Sequence, residues 1–220
     1  MILPITGLKR REIDWLAVHD CEHGHTYLEH YSCYKKYHGD KERVGILDIE
    51  TTDLTGDYGY ILTYCIKKYG GETLKRFMTK DDVRRGTYDK RIMRQFIQDC
   101  KGFDRFITYY GARFDIPELR TRALYWKLPF PIHKSVKHTD IYFIVKFKLK
   151  LRRNSLMVAC QHLGIKAKGH PLLPEIRWKA MNGDAGAIKY ILTHNIEDVE
   201  STEKLYNRIK DFAPVRDNSI

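Results

Sequence analysis

The stretch GILDIETTDL, residues 45–54, places Asp48 and Glu50 inside an otherwise apolar run. Such a run predicts a β-strand, in which residues i and i+2 project to the same side of the sheet. Two carboxylates that stand side by side raise each other's pKa unless a cation lies between them. Mg²⁺ and Mn²⁺ prefer oxygen ligands and suit such a pair, although acidic pairs at strand ends also occur without a metal.

The segments that follow predict an α/β architecture. Three β-rich runs separated by turns, VGILDIE, YGYILTYCIKKY and ETLKRFM, indicate an antiparallel meander. The strand candidates RFITYYG and VKHTDIYF come next and alternate with segments of helical periodicity. These helical segments are YDKRIMRQFIQDC, DIPELRTRALYWK, NSLMVACQHLGI, PEIRWKAMNG and one long segment over residues 184–210. Strands followed by strand–helix alternation predict a mixed sheet with helices on its faces.

Composition and charge restrict the class of protein. The chain has 220 residues, 43% of them hydrophobic, which is enough for one full core and a small appendage. Its net charge is +11, but the first forty residues hold five basic and six acidic side chains, so the excess lies in the later segment. This asymmetry indicates a polyanionic partner, with nucleic acid as the leading candidate and a lysine-rich solvated surface as the alternative. No run approaches the roughly 18 apolar residues of a membrane span, and the opening apolar run is too short for a secretory signal, which predicts a cytoplasmic protein without a membrane partner.

Two later motifs and one strand candidate add acidic residues. In YYGARFDIPEL, Asp115 follows an aromatic turn at the start of a predicted helix, where it could equally serve as the helix N-cap. In HNIEDVE, His194 and Asp198 lie four residues apart on the long predicted helix and therefore share a face, although many such pairs are ordinary surface hydrogen bonds. Asp140, in HTDIYF, either supports a metal site through its ligands or binds a turn.

Taken together, DIETT, GARFD and HNIEDV resemble the three motifs of the DEDD superfamily of 3′–5′ exonucleases, which have a ribonuclease H-like fold. The order matches, and so do the intervals of 65 residues from Glu50 to Asp115 and 83 from Asp115 to Asp198. The chain is most similar to ribonuclease H-like exonuclease domains of prokaryotic and phage origin, in which YYGARFDIPELRTRA, HTDIYF and RRNSL recur in similar form. The resemblance covers residues 41–210. We therefore expect a small Cys/His-rich module at residues 1–40, an exonuclease domain at 41–212 and a frayed tail at 213–220.

The resemblance implies a two-metal nuclease that uses Mg²⁺ or Mn²⁺. Asp48, Glu50 and Asp198 would hold the ion that activates a water, and Asp48 would bridge to a second ion placed with help from Asp115. His194 would orient or deprotonate the water. The superfamily has either Tyr four residues before this last Asp or His five residues before it, so a His at the tyrosine spacing leaves the role of His194 open.

Basic and aromatic residues are candidates for substrate contact. In KFKLKLRRN, residues 146–154, lysines alternate with apolar residues, so one face could pack on the core while the other follows a phosphate backbone. A solvated edge strand is the alternative. Tyr110 lies in TYYG, where the superfamily commonly has an Asn, and it could instead be ordinary aromatic core. The candidate nucleic-acid-binding residues are Lys146, Lys148, Lys150, Arg152, Arg153, Lys168 and Tyr110.

Residues 18–39 concentrate five histidines and two cysteines. Their spacing suggests one tetrahedral structural Zn²⁺ bound by Cys21, His25, His30 and Cys33. His19, His23 and His38 are rival ligands, and a cluster of packed His and aromatic rings is the alternative to a metal site. A disulfide between the two cysteines is disfavoured in an intracellular protein, and the other three cysteines, Cys65, Cys100 and Cys160, are expected to be reduced core residues.

These features predict a metal-dependent 3′–5′ exonuclease that hydrolyses phosphodiester bonds, with single-stranded DNA as the expected substrate. A 3′–5′ exoribonuclease is one alternative, and a ribonuclease H-like module that binds nucleic acid without cutting it is another. The N-terminal module would then connect the domain to replication or repair proteins.

Overall fold

The structure is a computed structural model that describes residues 10–31, 33–34, 42–131, 136–166, 171–213 and 218–219. It divides into two compact units, Met1–Lys41 and Glu42–Ile220. The N-terminal unit contains helix α1 (Arg10–Leu16), followed by a loop that holds Cys21 and a helical turn that holds Cys33. The described ranges contain no helix with the length and apolarity needed to cross a membrane.

Within the described residues, six strands form one mixed sheet in the C-terminal unit. They are β1 (Val44–Thr51), β2 (Ile61–Lys68), β3 (Thr73–Phe77), β4 (Arg105–Thr108), β5 (Lys137–Asp140) and β6 (Asn218–Ser219). Their order across the sheet is β3-β2-β1-β4-β5-β6. The first three strands form the predicted antiparallel meander, whereas β4 and β5 run parallel to β1. β1 therefore lies inside the sheet with a neighbour on each side.

Helices cover both faces of this sheet. They are α2 (Lys80–Arg84), α3 (Lys90–Cys100), α4 (Asp115–Tyr125), α5 (Ile141–Lys148), α6 (Leu156–His162), α7 (Pro174–Met181) and α8 (Ala185–Ile209). Leu47 and Ile49 of β1 pack with α3 and α4, whereas Ile46 packs with α5, α6 and α8. Because side chains alternate along a strand, Asp48 and Glu50 belong to the α8 face, as their spacing predicts. The predicted mixed sheet with helices on its faces is confirmed.

The segment after β4 differs from its predicted form. VKHTDIYF was expected to be one strand, but β5 ends at Asp140, and α5 begins at Ile141. The physical reason is a helix cap, because the Asp140 side chain accepts a hydrogen bond from the Tyr142 N–H at 3.1 Å. Lys146 and Lys148 consequently lie on a helix, so the expected strand-like alternation of the lysine run does not exist there.

The chain's last residues also differ from expectation. In place of an entirely frayed tail, β6 pairs antiparallel with β5, with Lys137 opposite Ser219 and His138 opposite Asn218. A strand of two residues is too short to show any periodicity, so the sequence pattern carries no sign of it.

A buried ion pair connects the elements beside β1. The Arg122 guanidinium on α4 donates from Nε and Nη2 to the two carboxylate oxygens of Asp89, at 2.7 and 2.8 Å. Asp89 also accepts from the Ile61 N–H of β2 and the Trp126 indole N–H. Both charged side chains are almost fully inaccessible to solvent, so each depends on the other for the compensation that water would otherwise give.

Replacing Asp89 with Ala should lower the free energy of unfolding by about 3–5 kcal/mol, since the Arg122 charge is then left buried without its partner. Urea denaturation followed by circular dichroism measures this loss. The matched control is Asp81→Ala, which breaks an exposed ion pair with Arg84 and should cost less than about 1 kcal/mol. Equal losses in the two variants would contradict the assigned role of the buried pair.

Candidate active site

Three side chains from β1 and α8 converge at the carboxyl end of β1. Glu50, His194 and Asp198 each offer a ligand atom, and these atoms lie within 4.8 Å of one another. The His194 Nε2 atom is 3.7 Å from Glu50 Oε1 and 3.8 Å from Asp198 Oδ2. All three residues are buried. A cluster of two carboxylates and one imidazole, largely withdrawn from water, has the donor chemistry of a site for a divalent cation.

Asp48 adjoins this group through the same helix. Its Oδ2 atom accepts a hydrogen bond of 2.8 Å from Asn195 Nδ2, and Asn195 is fully buried next to His194 on α8. The α8 helix is anchored on the sheet by Val199 and Leu205, which belong to the core that includes Ile46. One apolar contact surface therefore sets the distance between the β1 carboxylates and the α8 ligands.

Asp115 reaches the site where the sheet opens between β1 and β4. The parallel pairing of these two strands ends at Ile46 and Ile107, so β4 offers no acceptor to β1 residues beyond that point. The Asp115 Oδ1 atom takes this role and accepts the Ile49 N–H at 3.0 Å. Phe114 occupies the N-cap position of α4, and Asp115 is the first helical residue. The alternative of Asp115 as the N-cap is therefore not what the structure contains.

The turn before Asp115 is held by Asp140. Asp140 accepts the backbone N–H groups of Tyr110 and Ala112 at 2.8 and 2.9 Å. Tyr110 has a positive φ of 68°, an uncommon conformation for a residue with a side chain. Gly111 is required by a close approach, because a Cβ atom there would lie 2.4 Å from Thr108 Oγ1. Of the two roles considered for Asp140, turn binding is the one present, and through the turn it positions the segment that leads to Asp115.

The electrostatics of the site favour a cation. Burial raises the pKa of Asp115 to about 8. The charges of Asp140 and Glu50 also raise it, whereas the hydrogen bond from the Ile49 N–H lowers it. Burial also raises the pKa of Asp140. Arg177 on α7 places a positive charge next to these carboxylates, because its Nη2 atom is 3.2 Å from Glu50 Oε2. The site therefore combines crowded carboxylates with the basic side chain of Arg177.

Two residues of the site, Arg177 and Asn195, carry no sequence signal that predicts their place there. Arg177 lies in PEIRWKAMNG, a segment that shows only helical character, and it is separated from Glu50 by 127 positions. Asn195 directly follows His194, so its place on α8 could have drawn notice, but an Asn beside a metal-binding motif has no recognisable spacing of its own.

A family model, RNase_H_2 of the RNase_H superfamily, matches residues 46–210. This range contains β1 from Ile46 onward, all of α4 and α8, and the acidic site formed by Asp48, Glu50, Asp115, His194 and Asp198. The chain belongs to the RNase H superfamily. This confirms the predicted ribonuclease H-like fold class and supports a nuclease that acts on nucleic acid.

A solved structure shares the fold of this RNase H superfamily chain. The family B DNA polymerase from the hyperthermophilic archaeon Pyrobaculum calidifontis superposes with a TM-score of 0.65 at 18% sequence identity. The match covers 78% of this chain and 25% of the polymerase, so the chain spans about a quarter of that protein's length. No curated protein matches the chain.

The turn that carries Tyr110 contacts α5, the helix of the candidate residues Lys146 and Lys148, through the ring of Tyr142. Tyr110 is partly exposed and its ring is 4.7 Å from that of Tyr142. Phe147 is 69% exposed and stacks against Phe143, with Lys146 Nζ 5.5 Å from its ring centre. The remaining basic candidates, Lys148, Lys150, Arg152 and Arg153, are exposed around the end of α5. Lys168 lies outside the described residues. The apolar residues of this segment were expected to pack on the core, but Phe147 does not.

The Cys/His candidates come together in the N-terminal unit with one change. Cys21, His23, His30 and Cys33 each offer a ligand atom within 4.8 Å of the others. His23 takes the place predicted for His25, although both histidines are exposed. The reason is local backbone geometry, because the Cys21 N–H donates to the His25 carbonyl at 2.8 Å, which closes a turn with His23 inside it. The rival ligand His38 lies outside the described residues.

The pKa of Cys21 reflects this setting. Burial raises it, but hydrogen bonds from the backbone of His23 and His25 and from the His30 and His23 side chains outweigh burial and lower it to about 6. The cysteines Cys65, Cys100 and Cys160 are free and buried, as predicted. Burial raises the pKa of each of these three thiols, so they are protonated core residues.

Crowding of carboxylates predicts that a divalent cation stabilises the protein. Mn²⁺ at about 100 times its Kd should add about 2.7 kcal/mol of stability and raise the unfolding temperature by several degrees. Glu50→Gln and Asp198→Asn should remove this effect, whereas Asp57→Asn, which changes an exposed carboxylate in the loop after β1, should keep it. Differential scanning calorimetry measures the shift. Full Mn²⁺ stabilisation of Glu50→Gln would contradict the assignment of the site.

Proposed function

We propose that the protein is a metal-dependent 3′–5′ exonuclease that hydrolyses phosphodiester bonds at the end of a single strand, with DNA as the preferred substrate. The observation that carries the proposal is the convergence of Glu50, His194 and Asp198 within 4.8 Å at the end of β1. Asp48 lies on the same strand and accepts a hydrogen bond from Asn195 of α8, and Asp115 accepts the Ile49 N–H of β1. The order and spacing of the three DEDD-like motifs support the 3′–5′ polarity.

The residues present fit two hard divalent cations. Glu50 and Asp198 face each other across His194, Asp48 stands on the same face of β1, and Asp115 adds a carboxylate whose pKa is raised by burial and by neighbouring charge. Oxygen-rich, negatively charged sites of this kind select Mg²⁺ or Mn²⁺ over softer metals. When bound, the two ions would supply an activated water and charge stabilisation for the leaving 3′ oxygen.

The protein's own residues then divide the remaining tasks. Asp48, Glu50 and Asp198 would hold one ion, and Asp48 and Asp115 the other. His194 lies within 4 Å of two of these carboxylates, so its imidazole is placed to orient the attacking water and to accept its proton. Asn195 keeps the Asp48 carboxylate in one orientation, and Asp140 keeps the turn before Asp115 in place.

The surface beside the site supports a single-stranded substrate. Tyr110, Tyr142, Phe143 and Phe147 form a continuous series of ring contacts that starts at the turn before Asp115. Lys146 lies over two of these rings. Unpaired bases stack on aromatic rings while lysines contact the phosphates, and this mode of binding is tolerant of sequence. A duplex would keep its bases stacked on one another and unavailable to these rings.

The decisive experiment uses single-stranded DNA labelled at its 5′ end, incubated with the full chain and Mn²⁺. The expected product is a ladder of fragments shortened from the 3′ end. Asp48→Ala and Asp198→Asn should each lower the rate by at least about 10³-fold, because losing a metal ligand removes several kcal/mol of transition-state stabilisation. Asp57→Asn should leave the rate unchanged.

A parallel RNA substrate and a duplex substrate distinguish the alternatives. Faster shortening of RNA than of DNA would indicate a 3′–5′ exoribonuclease. Release of internal fragments would indicate an endonuclease instead of an exonuclease. Tight binding of both single strands without cleavage by the wild-type chain, in Mg²⁺ and in Mn²⁺, would contradict the enzyme and favour a binding module.

Arg177 belongs to the same proposal as a phosphate contact. Its Nη2 atom pairs with Glu50, while its buried Nε atom makes no hydrogen bond to any described residue. The α7 helix that carries it is anchored by Ala180, which packs with Ile188 and Ile191 of α8. Once cations neutralise Glu50, the Nε and Nη2 atoms form a fork that matches two oxygens of a phosphate group.

Arg177→Ala should therefore lower kcat by about 10²-fold, the effect of removing one charged donor from a transition state. The same change should lower the Mn²⁺ concentration needed for half-maximal activity, because Arg177 no longer competes for Glu50. Arg177→Lys keeps the charge but not the pair of parallel donors, so its kcat should lie between those of the wild type and Arg177→Ala. Lys179→Ala, on the exposed side of α7, is the matched control. Wild-type kcat in Arg177→Ala would contradict the phosphate contact.

A further inference from the structure

Among its described residues, the N-terminal unit has few buried apolar side chains. It spans Met1–Lys41, and its buried hydrophobic residues within the described ranges are Leu16, Cys21 and Cys33. Units of about 40 residues rarely fold on hydrophobic burial alone and commonly need a metal or disulfides. Cys21 and Cys33 form no disulfide, so neither contributes a covalent cross-link to the unit.

The contacts between sulfur and nitrogen atoms match the edges of a zinc tetrahedron. Cys21 Sγ lies 3.7 Å from His23 Nδ1 and 3.5 Å from His30 Nδ1. Cys33 Sγ lies 3.3 and 3.5 Å from the same two atoms. Zn–S bonds of about 2.3 Å and Zn–N bonds of about 2.0–2.1 Å at tetrahedral angles give an S···N edge of about 3.5–3.6 Å. All four observed edges are close to this value.

The backbone presents these four atoms from two local scaffolds. Cys21 and His23 lie on the turn closed by the Cys21 N–H to His25 carbonyl bond. His30 and Cys33 lie three residues apart on a helical turn, in which the Cys33 N–H donates to the His30 carbonyl. That turn begins with a reciprocal pair in which Thr26 donates to the Glu29 carboxylate and its hydroxyl accepts from the Glu29 N–H, the usual stabilising arrangement at a helix start.

Aromatic packing does not explain the arrangement. Rings of Trp15, His19, Tyr27 and Tyr34 contact one another in stacked, tilted or edge-on pairs. The His23 and His30 rings also lie 5.1 Å apart. Ring packing would not require both histidines to direct the same nitrogen, Nδ1, at both sulfur atoms, and this is what they do. The other nitrogen of His23, Nε2, lies 3.7 Å from Glu22 Oε1, and a carboxylate near the distal nitrogen is common for zinc-bound histidine.

We propose that Cys21, His23, His30 and Cys33 bind one structural Zn²⁺ through two Sγ and two Nδ1 atoms. The ion joins the turn at Cys21 to the helical turn at His30 and so cross-links the described part of this unit. This site lies in the unit separate from the acidic site, so it does not depend on the proposed nuclease.

Metal analysis of the full chain, purified without chelators, should find one zinc per chain. His23→Ala and Cys33→Ser should lower this content roughly tenfold. His25→Ala is the matched control: it removes a nearby histidine that fits the sequence spacing equally well, and it should retain one zinc. Loss of zinc in His25→Ala with retention in His23→Ala would overturn the ligand set. Zinc well below one per chain in the wild type, even after incubation with ZnCl₂, would overturn the site.

Cobalt provides a readout that does not depend on how well a variant folds. The wild-type chain loaded with Co²⁺ should show the visible absorption of tetrahedral Co²⁺ and the near-ultraviolet band of thiolate-to-cobalt charge transfer. His25→Ala should give the same spectrum. A spectrum of six-coordinate Co²⁺ without thiolate bands in the wild-type chain would overturn the proposal.

Discussion

Repulsion among buried carboxylates is the constraint on which the C-terminal unit depends. Asp48, Glu50, Asp115 and Asp198 come from three elements and lie where water cannot screen them well. Each has a specific partner on the protein side. Asn195 donates to Asp48, the Ile49 N–H donates to Asp115, Arg177 pairs with Glu50, and His194 lies 3.8 Å from Asp198. A hydrophobic protein interior would exclude such a group, so the site lies at the end of β1, where the pairing with β4 has ended and α8 packs on β1 and β2.

The parts of this arrangement that follow from periodicity were predictable from sequence. Asp48 and Glu50 share a face because strands alternate, and His194 and Asp198 share a face because helices repeat every 3.6 residues. The helices α3, α4, α6, α7 and α8 were predictable from sequence, whereas α2 and α5 were not. The boundary between β5 and α5 was not, because it is set by one side-chain hydrogen bond from Asp140 rather than by a pattern.

Contacts between distant segments account for what sequence could not provide. Arg177 approaches Glu50 only after α7 has packed on α8, and nothing in the local sequence encodes that approach. The exchange of His25 for His23 has a different cause. Both histidines have suitable spacing from Cys21, and the choice between them is made by the backbone bond that closes the turn. Spacing restricts the candidates for a metal ligand, and backbone geometry selects among them.

The length of chain between β1 and α8 also determines when the site forms during synthesis and folding. Asp48 and Asp198 are 150 positions apart, and long-range contacts form late because closing the intervening chain costs entropy. During synthesis, β1 and its two carboxylates leave the ribosome long before α8 does. A chain that is still growing therefore carries acidic residues but no site, and it acquires its chemistry only when its last long helix docks. For a protein that would degrade nucleic acid, this order keeps an unfinished molecule harmless.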